Sequence, residues 1–320
     1  MSRSRKQLTI QKPRPRPVPV IDTRTPSGRV LPYKAGHDRV EVTTMERDPN
    51  GVGGESAAAE LLVPARRDAS GTLRGYVRVA ALGDSLTFGL GDPTTTGYRG
   101  WARILASAIA NDHHVSFCNL AQPGATAADV VHAQLRVALD HKPHMASLIF
   151  GLNDTFRSSW DPCAVRRDPM ECAEQLTGQG ALLLTARFHD HGRVFRLPRF
   201  LARPLLNRIE DLNEIYSDLY EQYGGLQVDL GAHPGVHDRE FWAVDRLHPS
   251  ELGHRALAHE YAQLLTGCGL QFSAPDLDLD GITPARHSEL RWLCSQGAPW
   301  LMRRARDLGP SAVRRALGTA

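Results

Sequence analysis

From Tyr76 onward the chain alternates short apolar runs with stretches of helical period, and this alternation constrains the fold more than any other feature. "VRVAAL", "VSFCNL", "MASLIF", "ALLLTARF" and "LQVDL" read as strands. Between them apolar residues recur at the 3.6-residue period: Trp101, Ile104, Leu105 and Ala108, then a helix across "AADVVHAQLRVAL", then Leu205, Ile209, Leu212, Tyr216 and Leu219, closed by Gly224-Gly225. A final helix opens at Pro249-Ser250 and runs to about Leu265. Strands separated by helices imply a parallel sheet covered on both faces, a doubly wound three-layer α/β/α sandwich of about five strands. In such sheets the ligand crevice lies beyond the carboxyl ends of the strands.

The flanks read differently. Residues 1–75 are rich in Pro, Arg, Gly and Ser without a sustained apolar period, as in "KPRPRPVPV", and are expected to be a disordered extension, unless Met45 is the true start. The catalytic domain is expected over 76–270, followed by a basic extension over 271–320 that is expected to be helical. Residues 1–40 and 286–320 carry net charges of +8 and +5 in a chain of formal charge +3, which leaves the middle at about −10. Such a middle is a poor surface for nucleic acid, and the basic N-terminal stretch holds almost no aromatic residue to stack on bases. No apolar run approaches the ~18 residues that span a bilayer, and no apolar segment follows the N-terminal arginines. A cytoplasmic protein without stable membrane association is expected. The aromatics of the C-terminal segment, Trp292 and Trp300, are expected to pack on the acidic middle. Five cysteines without a C-x-x-C pair read as reduced thiols, a Cys163–Cys172 bridge requiring an oxidising compartment.

Polar residues gather where the strands end. Ser85 follows the first strand, Gly124 the second in "NLAQPGAT", and Asn153 the third in "FGLND"; Asp245 and His248 precede the last helix in "DRLHPSELG". Singly, each is explained by a helix cap or a turn. Together they reach one edge of the expected sheet and supply a nucleophile, a base, an acid to orient that base, and oxyanion donors. A serine hydroxyl needs an adjacent imidazole to take its proton, and the imidazole needs an acceptor at its other nitrogen. The charge developing on the substrate oxygen calls for fixed donors, here the N–H groups of Ser85 and Gly124 and the Asn153 amide.

"GDSLTFG", "NLAQPGAT", "GLND" and "DRLHP", in that order over about 170 residues, resemble the four blocks of the SGNH hydrolases, also called GDSL esterases and lipases. "GDPTTTGYRGWARILA" is similar to an intracellular-looking actinobacterial branch of that family. The resemblance implies a flavodoxin-like sheet. It implies Ser85 as nucleophile, His248 as base, Asp245 as its partner, and Ser85, Gly124 and Asn153 as the oxyanion hole, with no cofactor and no metal. It covers roughly residues 76–266. The expected function is therefore hydrolysis of a carboxylic ester by a serine enzyme. Transfer of the acyl group to another alcohol shares the first half-reaction and stays open, as does, more remotely, a non-catalytic binding module on the same fold. Phe88, Tyr98 and Trp160, close to these blocks in sequence, are expected to line the substrate pocket.

Other candidates fail on their residues. Ser85 does not stand in G-x-S-x-G, which removes the α/β-hydrolase elbow. "DLDLDG" at 276–281 imitates a calcium loop, but His287 occupies the twelfth position and Pro284 the ninth. His189-Asp190-His191 offers only two imidazoles and reads as a surface loop.

Overall fold

The computed structural model describes residues 63–67 and 73–281, and side chains from Gly75 onward. Eight strands, β1 (Val63–Arg67), β2 (Leu73–Gly83), β3 (Pro93–Thr94), β4 (Gly97–Tyr98), β5 (His114–Asn119), β6 (Met145–Ile149), β7 (Leu182–Arg187) and β8 (Leu226–Asp229), occur among the described residues. β5, β2, β6, β7 and β8 form a parallel sheet in that spatial order. Counted along the chain this order is 2-1-3-4-5, so the direction of winding reverses between β2 and β6, and a crevice opens at their carboxyl ends. All five residues of β6 are buried, as are Val79 to Gly83 of β2, which is the burial that a central parallel strand requires.

One face of the sheet carries α2 (Gly100–Ile109) and α9 (Glu251–Gly267), joined by Trp101 stacked on Tyr261 with ring centroids 4.9 Å apart. The other carries α4 (Arg136–His141), α6 (Pro162–Thr177) and α8 (Arg199–Tyr223). Tyr216 of α8 is fully buried. Its hydroxyl accepts from Phe150 N and donates to Phe150 O, satisfying the main chain just past β6. Short helices α1 (Ser85–Phe88), α3 (Ala127–Asp129), α5 (Leu152–Thr155) and α7 (His191–Val194) lie where strands end.

The structure differs from the sequence reading at both flanks. β1 falls inside the expected extension over 1–75 and pairs antiparallel with β2, which itself starts at Leu73; residues 1–62 and 68–72 lie outside the described residues. At the other end, residues 271–281 contain no helix. They run along the surface as a strap, fastened because Asp276 and Asp280 accept from Arg255, and Asp280 also from Arg99. The acidic run that imitates a calcium loop is thus engaged by guanidinium groups. The remainder of the expected C-terminal helix, with Trp292 and Trp300, lies outside the described residues. Cys163 and Cys172 are free thiols nine residues apart on α6, a rise of about 13 Å that no disulfide spans.

Candidate active site

The carboxyl end of β2 is shaped before the serine is reached. Gly83 has φ 154°, and a Cβ there would meet Ile149 O at 2.6 Å, so only glycine lets β2 and β6 stay paired to their ends. Its N–H donates to Gln134 Oε1 and its C=O accepts from Gln134 Nε2, both at 2.9 Å. Gln134 stands in a π-helical stretch, Val130–Leu135, between α3 and α4. Such irregularities in a helix frequently accompany functional sites. Asp84 then caps α1 by accepting from Leu86 N at 3.0 Å, which places Ser85 at the first position of the helix, where its N–H has no intrahelical partner.

His248 arrives from the opposite side, three residues before α9. Its Nε2 lies 2.8 Å from Ser85 Oγ and its Nδ1 2.6 Å from Asp245 Oδ2. The other oxygen, Asp245 Oδ1, accepts from Leu247 N and His248 N, so the carboxylate is held from both sides. Burial, the largest single influence, works to raise the Asp245 carboxyl, but the hydrogen bond and charge of His248 together with the N–H groups of His248 and Leu247 outweigh it and hold the group below the usual carboxylate range. The remaining two residues come from the ends of β5 and β6. Gly124 is exposed, with φ 81° and nothing within 4 Å of the place a Cβ would occupy. The bonds of its turn run from Gln122 N to Gly83 O and from Ala125 N to Gln122 O, and leave the Gly124 N–H outside them. Asn153 Nδ2 donates to Asp84 Oδ2 at 3.3 Å and to Ala125 O at 3.1 Å. Asp154 Oδ2 accepts from Ala127 N. Residues 153 and 154 thereby clamp the loop that carries Gly124. Sequence reasoning passed over Asp84, Gln134 and Asp154. Burial pushes the carboxyls of Asp84 and Asp154 up to about 6, and so keeps Asp84 within reach of protonation under mildly acidic conditions.

Ser85, His248 and Asp245 thus meet, with Gly124 and Asn153 beside them on loops of the same sheet edge. A family model described as "GDSL-like Lipase/Acylhydrolase family" matches residues 81–256, which span all of these residues. The chain belongs to this family. It is an ester hydrolase of the GDSL type.

No curated protein matches the chain. Among solved structures it is similar to a lipase/acylhydrolase from Enterococcus faecalis, at 20% identity over 62% of this chain and 99% of that one, with a TM-score of 0.48. It is similar also to a G-D-S-L lipolytic protein from Veillonella parvula DSM 2008, at 18% identity over 59% and 98%, TM-score 0.47. A third is an acetylxylan esterase from Geobacillus stearothermophilus, at 14% identity over 59% and 94%, TM-score 0.49.

Phe88 faces Tyr98, ring centroids 6.0 Å apart, with Tyr98 exposed on the β3–β4 hairpin and Trp160 packed against the core; none of the three is among the walls of the cavity beside the catalytic pair. That cavity, of about 30 Å³, adjoins the neighbours of the serine and the histidine; Leu86, Leu152, Phe188, Trp242 and Leu247 are among its walls. His189 and His191 also line it. Both are 2% exposed, their rings stacked 4.0 Å apart, and no ring nitrogen of either has a hydrogen-bond partner among the described residues. They do not form the surface loop that the sequence suggested. Burial lowers both, His191 to about 4, so they are neutral at neutral pH and add polar edges without charge to an apolar space. Among the described residues no three His, Cys, Asp or Glu side chains are grouped to hold a metal, and no helix is long and apolar enough to cross a membrane.

Proposed function

We propose that this GDSL hydrolase cleaves a carboxylic ester through an acyl-enzyme on Ser85. The observation that carries the reading is the continuous relay from Ser85 Oγ through His248 to Asp245, with contacts of 2.8 and 2.6 Å. Ser85 Oγ attacks the ester carbon while His248 Nε2 takes its proton, and Asp245 holds the imidazolium that forms. The carbonyl oxygen becomes an oxyanion facing the N–H groups of Ser85 and Gly124 and the amide of Asn153. Collapse breaks the bond to the alcohol oxygen, which leaves with the proton from His248. Water then gives a proton to His248 and attacks the acyl carbon, and the carboxylic acid departs as Ser85 recovers its proton. Every step is supplied by side chains and main-chain N–H groups. The small, largely apolar cavity beside the pair supports short acyl groups, since about 30 Å³ is a fraction of the roughly 150 Å³ of a cavity that takes up benzene.

A series of p-nitrophenyl esters, assayed with and without alcohol acceptors, tests the reading. Turnover is expected to be highest for two- to four-carbon acyl groups, to yield free acid and to be lost in Ser85→Ala. Activity that survives in Ser85→Ala removes the serine mechanism, and a product consisting mainly of transesterified alcohol would make the chain an acyltransferase.

A further inference from the structure

Three arginines lie beside the catalytic loop, close enough for two of them to act on the third, and among the described residues none of them forms an ion pair. Arg246 lies inside that loop, between Asp245 and His248, and its Nη1 donates to Val194 O at 3.3 Å. Arg239 Nη1 donates to Trp242 O at 2.6 Å and Ala243 O at 3.1 Å, which fixes it on the turn that backs the loop, where Ala243 N bonds His248 O. Arg196 follows α7 and is exposed. The charged groups that act on the Arg246 guanidinium are the other two arginines; burial first and then their repulsion lower it. Asp190 is occupied as the cap of α7, Asp238 and Glu240 are exposed, and among the described residues none of these acids forms an ion pair with the three.

Two further observations point to use. Three non-glycine residues have left-handed backbones among the described residues, and Arg196 (φ 55°) and Arg246 (φ 56°) are two of them. Such conformations cost about 1 kcal/mol or more and persist where the surroundings enforce them, often at ligand sites. The stretch from His191 to Arg208 also holds five arginines and no Asp or Glu, in a part of the chain that is acidic on average. The segments bearing the trio are those that wall the cavity, through His191, Trp242 and Leu247.

We propose that Arg196, Arg239 and Arg246 form a specificity site for an anionic group, phosphate or carboxylate, carried by the ester substrate. Guanidinium forks match the paired oxygens of both, and two of the three are held in place by main-chain carbonyls before any ligand arrives. The inference rests on the ester-hydrolase mechanism above and adds the charge class of its substrate.

The test compares matched esters. 4-Acetoxyphenyl phosphate and 4-acetoxybenzoate, each against 4-methoxyphenyl acetate, place the charge on the alcohol side; monophenyl glutarate against phenyl pentanoate places it on the acyl side. The anionic-to-neutral ratio of kcat/KM is expected to fall about tenfold or more in Arg196→Asp for at least one pair, and by less in Arg196→Asn. Both replacements tolerate a left-handed backbone, so the change reads charge and not folding. About 0.5 M NaCl is expected to lower the same ratio. The pair that responds identifies the anion and its side of the ester. Ratios unmoved by Arg196→Asp in every pair overturn the proposal, even if neutral esters are hydrolysed and the serine mechanism stands. Phenyl phosphate binding to Ser85→Ala, measured by calorimetry, separates the two ideas. Binding that Arg196→Asp abolishes supports the anion site even without turnover, and no binding of phenyl phosphate or benzoate counts against it.

Discussion

Asp245→Asn is expected to lower kcat by a factor on the order of 10⁴ while leaving the protein folded. The geometry gives the reason. Asp245 Oδ1 accepts from two main-chain N–H groups, so an asparagine keeps its oxygen there and turns its NH₂ toward His248 Nδ1. Two donors cannot share that 2.6 Å contact as hydrogen-bonded partners. The imidazole would take the tautomer with its proton on Nε2, donate to Ser85 Oγ and lose the ability to accept from it. Near-native kcat in a folded Asp245→Asn would show that the carboxylate does not set the tautomer.

Asn153→Ala is expected to reduce kcat by roughly 10²–10³ with little change in KM, because an oxyanion donor acts mainly once charge has developed. The resting contacts of the amide make this a sharp test. Asn153 Nδ2 is spent on Asp84 Oδ2 and Ala125 O, which is also how a purely structural residue would use it. Loss of those two bonds alone would lower the melting temperature, at a cost of about 1–3 kcal/mol, and leave the rate per folded molecule almost intact. Kinetics and melting measured on the same variant therefore separate the roles, and a near-native kcat with a lowered melting temperature removes Asn153 from the mechanism.

What the sequence revealed and what it hid follow from the physics of each element. The five parallel strands were legible because a strand covered on both faces must be apolar almost throughout, as "MASLIF" is. α9 was legible because Ser250 caps it, accepting from Gly253 N. α6 was not, since Pro169 interrupts its interior, although Asp161 and Pro162 form an ordinary helix start. β1 carries Pro64, Arg66 and Arg67 in five residues and shows no strand alternation. The Ser85, Gly124, Asn153 and His248 blocks were legible because each spacing is local. The walls of the cavity come from segments between residues 84 and 257 and could not be gathered without the fold. His189 and His191 look solvated by residue type, and nothing in their neighbourhood along the chain announces burial. The arginine trio is likewise spread over 196, 239 and 246, and the lack of acids between His191 and Arg208 was its only local trace.

The central claim is a covalent acyl group on Ser85, and the most direct measurement is the mass of the intact protein, quenched in acid within milliseconds of mixing with a p-nitrophenyl ester. The account predicts a single adduct equal to the acyl group, mapped by peptide digestion to Ser85, forming no more slowly than p-nitrophenol is released in the first turnover. Turnover without any adduct at any quench time, or an adduct on a residue other than Ser85, would contradict it.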